Sequence, residues 1–458
     1  MVNMRRSAQR IRIWGSILVG IFVLMVFGCN GNDHDRTFTL RIENISPAFE
    51  FTASGSFDTP AGATGPGPIG PGGAYELTFS AAPGDRLSFV TMFVPSNDFF
   101  FAPDEDGIVL FDAGNMPVTG DVTDQVMLWD AGTEVNQEPG VGADQVQRQA
   151  APGTGAPDPD NRVRIAPDTF NNLPPTNAII RVTLTPISDT QFTLRIENVS
   201  DATTLLTSAA SPDDMQAVPL SPGVFVVHTG AAPLFTVGQA DRGEGLEAIA
   251  EDGDSSQLAA ALADRTGLTV PLSPGIIAVD NQANLLFTVG QADRGEGLEG
   301  IAEDGDPSQL AASLMLQLGI SSSALTFNTP VGATAPAPIG PGGVYAITFS
   351  ADPGDQLSFV TMFVPSNDFF FAPDGNGIDL FNVNNIPVTG DVTSQVLLWD
   401  AGTEVNQEPG VGPDQVQRQA APNTGAPDPD DTVRLAPDTF GNLPPSDTIL
   451  RVTLTLED

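Results

Sequence analysis

Apolar and polar residues alternate in short runs along most of this chain, the pattern of strands that present one face to a core. FTLRIENIS at Phe38 and FTLRIENVS at Phe192 both follow it, as do Ala74–Ser80 and residues 87–94. So do the closing runs IIRVTLT at Ile179 and ILRVTLT at Ile449. Between them PIGPGG (from Pro68 and Pro338), APGD (from Ala82) and DPGD (from Asp352) read as turns, because Pro presets φ and Gly accepts positive φ. Many short strands with regular turn punctuation predict an all-β antiparallel sandwich.

The pattern occurs twice. LSFVTMFVPSNDFFFAPD runs from Leu87 and returns from Leu357, and WDAGTEVNQEPGVG at Trp129 returns at Trp399, both shifted by 270 residues. A constant shift through loops as well as strands implies two copies of one domain. The opening strands at Phe38 and Phe192 are only 154 apart, so the second copy carries 116 additional residues. Those contain a smaller duplication: VPLSPG at Val218 recurs at Val270, and LFTVGQADRGEGLE at Leu234 recurs at Leu286, a period of 52. Each small unit predicts a strand (224–227; 276–279), a second strand (234–237; 286–289) and a short helix. Asp306, Pro307, Ser308 and Gln309 have the order of a capping box; Glu303, Asp304 and Asp306 lack the alternating-oxygen spacing of an EF-hand loop, which favours the cap over a metal loop.

The expected organisation is a leader at 1–28, a tether at 29–37, a shortened sandwich at 38–187, and a second sandwich at 190–458 that holds the inner repeats 218–269 and 270–321.

Composition narrows the function. The 458 residues include 47 Gly and 40 Pro, but 41% are apolar and 27 are Phe, which argues for packed cores over disorder. All 18 basic residues are Arg, set against 57 acids, for a net charge of −39. Such a surface repels nucleic acid and anionic headgroups and attracts divalent or basic partners. Arg5, Arg6, Arg10 and Arg12 precede an apolar run at 17–27 that ends in Val26, Phe27, Gly28 and Cys29. That tetrad resembles a bacterial lipobox, which implies cleavage before Cys29 and its lipidation. Asn30, in place of an inner-membrane retention Asp, points to the outer membrane or the cell surface. Cys29 is the single cysteine, so no internal disulfide exists, and His34 and His228 are the two histidines. Ser/His/Asp, Cys/His and zinc chemistry are thereby excluded, while a pair of carboxylates remains available.

The duplicated loops supply such a pair. PSND places Asp98 and Asp368 after one strand, and WDAGTE places Asp130 and Asp400 at the end of another, 32 residues on in both copies. Two such acids can converge at one rim and offer hard oxygens to Ca²⁺, or each can cap its own turn.

The order of strand, PSxD-aromatic segment and W-D-A-G-T-acid resembles the spondin N-terminal domain of F-spondin, mindin and their bacterial counterparts. SPGVFVVHT, LFTVG and GLEAIAEDG resemble that family's segment of SP, His-Ser/Thr, an apolar strand and an AE-G turn. The resemblance implies C2-like sandwiches, each with one calcium, that act in adhesion and matrix binding outside the cell. It implies Asp98 with Asp130, and Asp368 with Asp400, as ligands. It also implies a third acid at Glu76, whose counterpart is Ala346, and further or supporting acids at Glu134 and Glu404. Animal members carry cysteines that this chain lacks. The expectation is a calcium-binding, surface-exposed attachment lipoprotein and not an enzyme. Its partner would be a matrix or surface glycan or protein, and its contact with membrane would be through the lipid alone. The competing classes are a secreted carbohydrate-active enzyme using the same carboxylates and a purely structural envelope protein.

Overall fold

The computed structural model describes residues 36–209, 215–318 and 323–457. The leader, Cys29 and His34 lie outside them. The longer strands are β1 (Arg36–Asn44), β2 (Phe51–Phe57), β3 (Ala74–Ser80), β4 (Arg86–Phe93), β5 (Phe99–Pro103), β6 (Val126–Asp130), β7 (Ile180–Pro186), β8 (Gln191–Asn198) and β9 (Leu220–His228). After helices α1 (Leu246–Asp252) and α2 (Ser256–Ala263) comes β10 (Leu272–Asp280), then helices α3 (Leu298–Asp304) and α4 (Ser308–Leu318). The chain continues through β11 (Ser323–Phe327), β12 (Val344–Ala351), β13 (Gln356–Phe363), β14 (Phe369–Pro373), β15 (Val396–Asp400) and β16 (Leu450–Leu456). The fold is all-β and antiparallel, as expected: two sandwiches, each pairing a four-stranded with a seven-stranded sheet.

How the chain divides between them differs from the sequence expectation. In one sandwich the small sheet runs β3, β8, β7 and the short Gly120–Asp121; the large one runs β2, β9, β4, β5, β6 and Arg164–Ile165, with Ile108–Val109 beside β4. In the other the small sheet runs β12, β1, β16 and Gly390–Asp391, and the large one β11, β10, β13, β14, β15 and Arg434–Leu435, with Ile378–Asp379 beside β13. The first FTLRIEN strand therefore belongs with the C-terminal copy, and the second with the N-terminal copy. The enclosed sandwich is a contiguous stretch near 51–267. The outer one joins β1 to everything after it.

The division into 38–187 and 190–458 is accordingly corrected, and neither sandwich lacks an inner unit. The unit at 218–269 supplies β9, α1 and α2 to the enclosed sandwich, and the unit at 270–321 supplies β10, α3 and α4 to the outer one. Connectivity explains the choice, since the two FTLRIEN segments are too alike for packing to discriminate. β7 turns directly into β8, with Pro186 opposite Phe192 and Ile187 N–H donating to Gln191 O at 2.7 Å. So short a closure costs little chain entropy. It fills the slot between β3 and β7, and β1 occupies the equivalent slot between β12 and β16, where Phe38 faces Phe349 and Leu456.

Each seven-stranded sheet is covered on both faces. One face meets the small sheet through Phe57, Phe89, Phe101 and Phe192, or through Phe38, Phe327, Phe359 and Phe371. The other face lies under the helices: Trp129 and Phe100 contact Phe235, and Trp399 and Phe370 contact Phe287. Strands buried on both faces read as near-continuous apolar runs, which is why β4 and β5 carry FVTMF and FFFA.

LFTVG, expected to be a second strand, is irregular in both units. β9 and β10 already have partners on both edges, so the segment lays Leu234 and Phe235, or Leu286 and Phe287, onto the aromatic face. One helix was expected per unit, and two form. Gly253 and Gly305 end the first of each pair at positive φ, their N–H groups returning to carbonyls of the last turn. Asp306 does cap α4, Oδ1 accepting from Ser308 N–H at 2.9 Å, but Gln309 donates to Gly295 O instead of closing a capping box.

Candidate metal centre

The tight turn between β4 and β5 is closed by Ser96, whose hydroxyl donates to Phe93 O at 2.7 Å and accepts from Phe99 N–H at 2.9 Å. This places Asn97 and Asp98 at the rim of the large sheet. Phe99 stands opposite Asp130 in the β5–β6 register, and Ala131 N–H donates to Asp98 O at 3.0 Å. The sheet register thus brings together the two aspartates that are 32 residues apart. Gly132 follows at φ +70°, where a Cβ would stand 2.4 Å from Arg162 O, so the DAGT turn needs glycine there.

Asp98 and Asp130 have no exposed surface. Asp130 is well partnered: Oδ1 accepts from Gly132 N–H at 2.7 Å, and Oδ2 accepts from Asn136 Nδ2 at 2.8 Å and lies 2.7 Å from Arg164 Nη2. Asp98 is not. Its Oδ2 accepts from Glu134 N–H at 3.2 Å, while Oδ1 has no protein partner, nor has the buried Asn136 Oδ1. Glu134 closes the loop, Oε1 accepting from Gly155 N–H at 2.6 Å and Oε2 from Asn97 at 3.3 Å. A fourth acid arrives from α1: Glu251, 3% exposed, whose Oε1 accepts from the Thr133 hydroxyl at 2.7 Å.

The outer sandwich repeats the arrangement. Asp400 accepts from Gly402 N–H at 2.7 Å and Asn406 at 2.8 Å and lies 2.8 Å from Arg434; Asp368 Oδ2 accepts from Glu404 N–H at 3.2 Å. Thr403 donates to Glu303 of α3 at 2.6 Å. Asp368 Oδ1, Asn406 Oδ1 and Glu303 Oε2 have no partner.

Burial, and then the neighbouring Asp130 or Asp400 carboxylate, pushes Asp98 and Asp368 far above the ordinary aspartate range. Burial raises Asp130 and Asp400 too. Glu251 and Glu303 are pushed up to about 8, chiefly by burial. Of the four carboxylates in each sandwich only Asp130, or Asp400, is paired with an Arg. Among the described residues no three His, Cys, Asp or Glu side chains already stand as a formed metal cage. The fit to a hard cation rests instead on the unpartnered buried oxygens, since an unsatisfied buried acceptor costs about 1–3 kcal/mol. Calcium takes carboxylate and amide oxygens of this kind, and Asp98, Asp130 and the Asn136 amide, or Asp368, Asp400 and the Asn406 amide, are the groups that would hold it.

Glu76 is not part of this set. It lies on the outer face of the small sheet, half exposed, opposite Arg195 and 2.5 Å from its guanidinium. Ala346, its counterpart, is exposed opposite Arg41, so the outer site loses nothing by having alanine there. Glu134 and Glu404 lie beside the paired aspartates, with their oxygens already held by backbone and Asn97 or Asn367. His228 sits elsewhere, buried at the end of β9 with Nε2 2.9 Å from Ser88 Oγ. Sequence reasoning missed Glu251, Asn136, Asn406, Arg164 and Arg434, and set Glu303 aside in favour of a helix cap, although a signal existed. The Asn and Arg recur at the 270-residue shift, and the Glu recurs at the 52-residue shift.

A comparison of the chain with protein-family models finds no match, and a search of curated proteins finds no relative.

Proposed function

We propose that each sandwich binds one calcium ion at its paired aspartates, and that the protein is a lipid-anchored attachment protein displaying two spondin-type sandwiches at the cell surface. The observation that carries the reading is the fully buried Asp98 beside Asp130, and Asp368 beside Asp400, each pair with an unpartnered carboxylate oxygen. When bound, calcium would supply the positive charge those oxygens lack and hold the PSND and DAGT loops together. Asn97 and Glu134 orient the loops from outside, and Arg164 takes up part of the Asp130 charge.

Two features favour binding over sugar hydrolysis. Asp130 and Asp400 are each held by a backbone N–H, an Asn amide and an Arg, which leaves neither free as the second carboxylate that glycoside hydrolysis requires. Neither carboxyl reaches the surface where a polymer could meet it. The net charge of −39 supports a basic or cation-bridged partner over nucleic acid.

Calorimetric titration of the mature protein with CaCl₂ tests the proposal. Two sites are expected, one lost in Asp98→Asn and the other in Asp368→Asn. Absence of any heat or melting shift with calcium would sink it. Anchoring is checked separately: Cys29→Ser should move the protein from the membrane to the soluble fraction, and unchanged fractionation would refute the lipid anchor.

A further inference from the structure

We propose that the cleft between the two sandwiches is a binding site for an oligosaccharide chain carrying a carboxylate, with Arg418 as the group that meets the acid; this concerns the partner in the attachment reading above and stands apart from the calcium sites. Three cavities of about 420, 700 and 650 Å³ follow one another along this waist. Phe49, Leu268 and Asn442 line both the first and the second, and Gln417 and Arg418 line both the second and the third, so the three adjoin along one trench. Unlike the paired-aspartate centres, the trench occurs once. The loop of the outer sandwich at 408–418 leans onto the enclosed one, where Glu408 accepts from the Ser80 hydroxyl at 2.7 Å. Its counterpart Glu138 accepts from Ser208 N–H at 2.6 Å and so turns onto its own sandwich.

Arg418 is the unusual group of the trench. Its Nη1 donates to Gln415 Oε1 at 3.1 Å and its Nη2 to Gly410 O at 2.5 Å, which leaves Nε–H and a further N–H on each terminal nitrogen. Arg434 pairs with Asp400, Asp428 and Asp430, whereas Arg418 ion-pairs with no carboxylate among the described residues. Arg148 makes the same two bonds in the other copy, yet it is exposed to water. Asp85, the acid whose charge reaches Arg418, is buried and already accepts from Ala82 N–H at 2.8 Å. A half-buried guanidinium with spare donors can take a carboxylate from outside through paired N–H groups, more strongly than an arginine in open water. Around it Thr78, Gln191, Gln417 and Asn442 offer hydroxyls and amides that both donate and accept, as sugar hydroxyls do. Phe49 and Leu268, both half-buried, offer apolar surface to the C–H faces of sugar rings. Glu50 and Glu408 also line the trench, so a chain with an acid on every ring would be repelled, and the arginine admits a sparsely charged one.

Calorimetry of the mature protein in calcium-free buffer compares a xylotetraose bearing one glucuronic acid branch and a hyaluronan tetrasaccharide with neutral counterparts, xylotetraose and chitotetraose. One site is expected for at least one carboxylated sugar. Affinity should fall about tenfold or more for the neutral counterpart, and equally for the carboxylated sugar on Arg418→Gln, the loss of one charge-assisted hydrogen bond. Arg148→Gln, at the matching place outside the trench, should bind as wild type does. Thr78→Trp fills the trench from an exposed position of β3 and should abolish binding; it decides the matter if Arg418→Gln does not fold. No binding of either carboxylated sugar, equal binding of its neutral counterpart, or unchanged binding in Thr78→Trp would overturn the proposal. So would a tetrapeptide ending in glutamate that binds more tightly than both carboxylated sugars. These outcomes are independent of the calcium reading, because no calcium is present, and a failed calcium titration would leave the sugar result standing.

Discussion

Leu40→Ala tests the division of the chain most directly, because the two partitions assign Leu40 to different sandwiches. Leu40 has no exposed surface and lies between Ile347 of β12 and Leu454 of β16. Truncating a fully buried Leu to Ala costs about 2–5 kcal/mol, the transfer of the lost methyl groups plus the cavity left behind. Taking about 3 kcal/mol, and roughly 2–4 °C per kcal/mol for a domain of this size, the outer sandwich should melt about 6–12 °C lower. The two sandwiches can be read separately. Trp129 packs on Phe235 in the enclosed one and Trp399 on Phe287 in the outer one, at centroid distances of 5.1 and 5.3 Å. In leaderless protein carrying Trp129→Phe, thermal unfolding followed by fluorescence reports the outer sandwich; in Trp399→Phe it reports the enclosed one. Leu40→Ala should shift only the first, and Leu194→Ala, at the matching position of β8, only the second. A shift of the Trp129 signal by Leu40→Ala would refute the exchanged-strand arrangement.

Deleting residues 270–321 removes β10 from between β11 and β13, so the outer transition should vanish while the enclosed one persists, as the same two tryptophan reporters would record. Gly275→Ala should cost the outer sandwich about 2 kcal/mol or more, since a Cβ would stand 2.1 Å from Val360 O and 2.4 Å from the Phe327 ring; urea unfolding measures this. Glu76→Ala breaks an exposed ion pair, so it should change stability by less than about 1 kcal/mol and leave the calcium titration unaltered. Glu251 and Glu303 hold protons in the folded state up to about pH 8 that the unfolded chain releases above the ordinary glutamate value of 4.5. In calcium-free buffer, stability should therefore fall as pH rises from 4.5 toward 8, by up to about 1.4 kcal/mol per unit for each group, and Glu303→Gln should flatten that slope; urea titrations at several pH values give the answer.

Strand existence was legible in the sequence because alternation and turn residues are local properties. The positions of β3, β7, β8 and β16 follow directly from their patterns. Which copy each strand joins was not legible, since FTLRIENIS and FTLRIENVS have the same core face and the decision is made by the short β7–β8 turn. LFTVG carries a strand's composition but meets a sheet with no free edge, and only the assembled sheet reveals that. The paired aspartates were visible through their repeated spacing. Glu76 was assigned to the site through the resemblance alone, and its alternation puts it on a strand without saying which sheet or face. Glu251 and Glu303 were hidden among helix-terminal acids, and it takes the docking of α1 and α3 to separate a buried carboxylate from the solvated ones beside it.

The exchange of strands means that the chain passes between the sandwiches twice, once near residues 45–50 and again near 265–270. The two passages run side by side: Phe49 N–H donates to the Thr269 hydroxyl at 2.8 Å, Gly267 N–H to Phe51 O at 3.1 Å, and Arg265 pairs with Glu50. A single linker behaves as a swivel, whereas two joined strands of chain act as a ribbon that bends but resists torsion. Ser80 bonding to Glu408 at 2.7 Å adds a third point of contact away from that ribbon. The two acidic rims thus keep a set angular relation, and a partner that meets both meets them at a defined pitch. In the attachment role proposed above, that restriction raises the effective concentration of the second rim once the first is engaged, for any partner whose own sites share the same spacing.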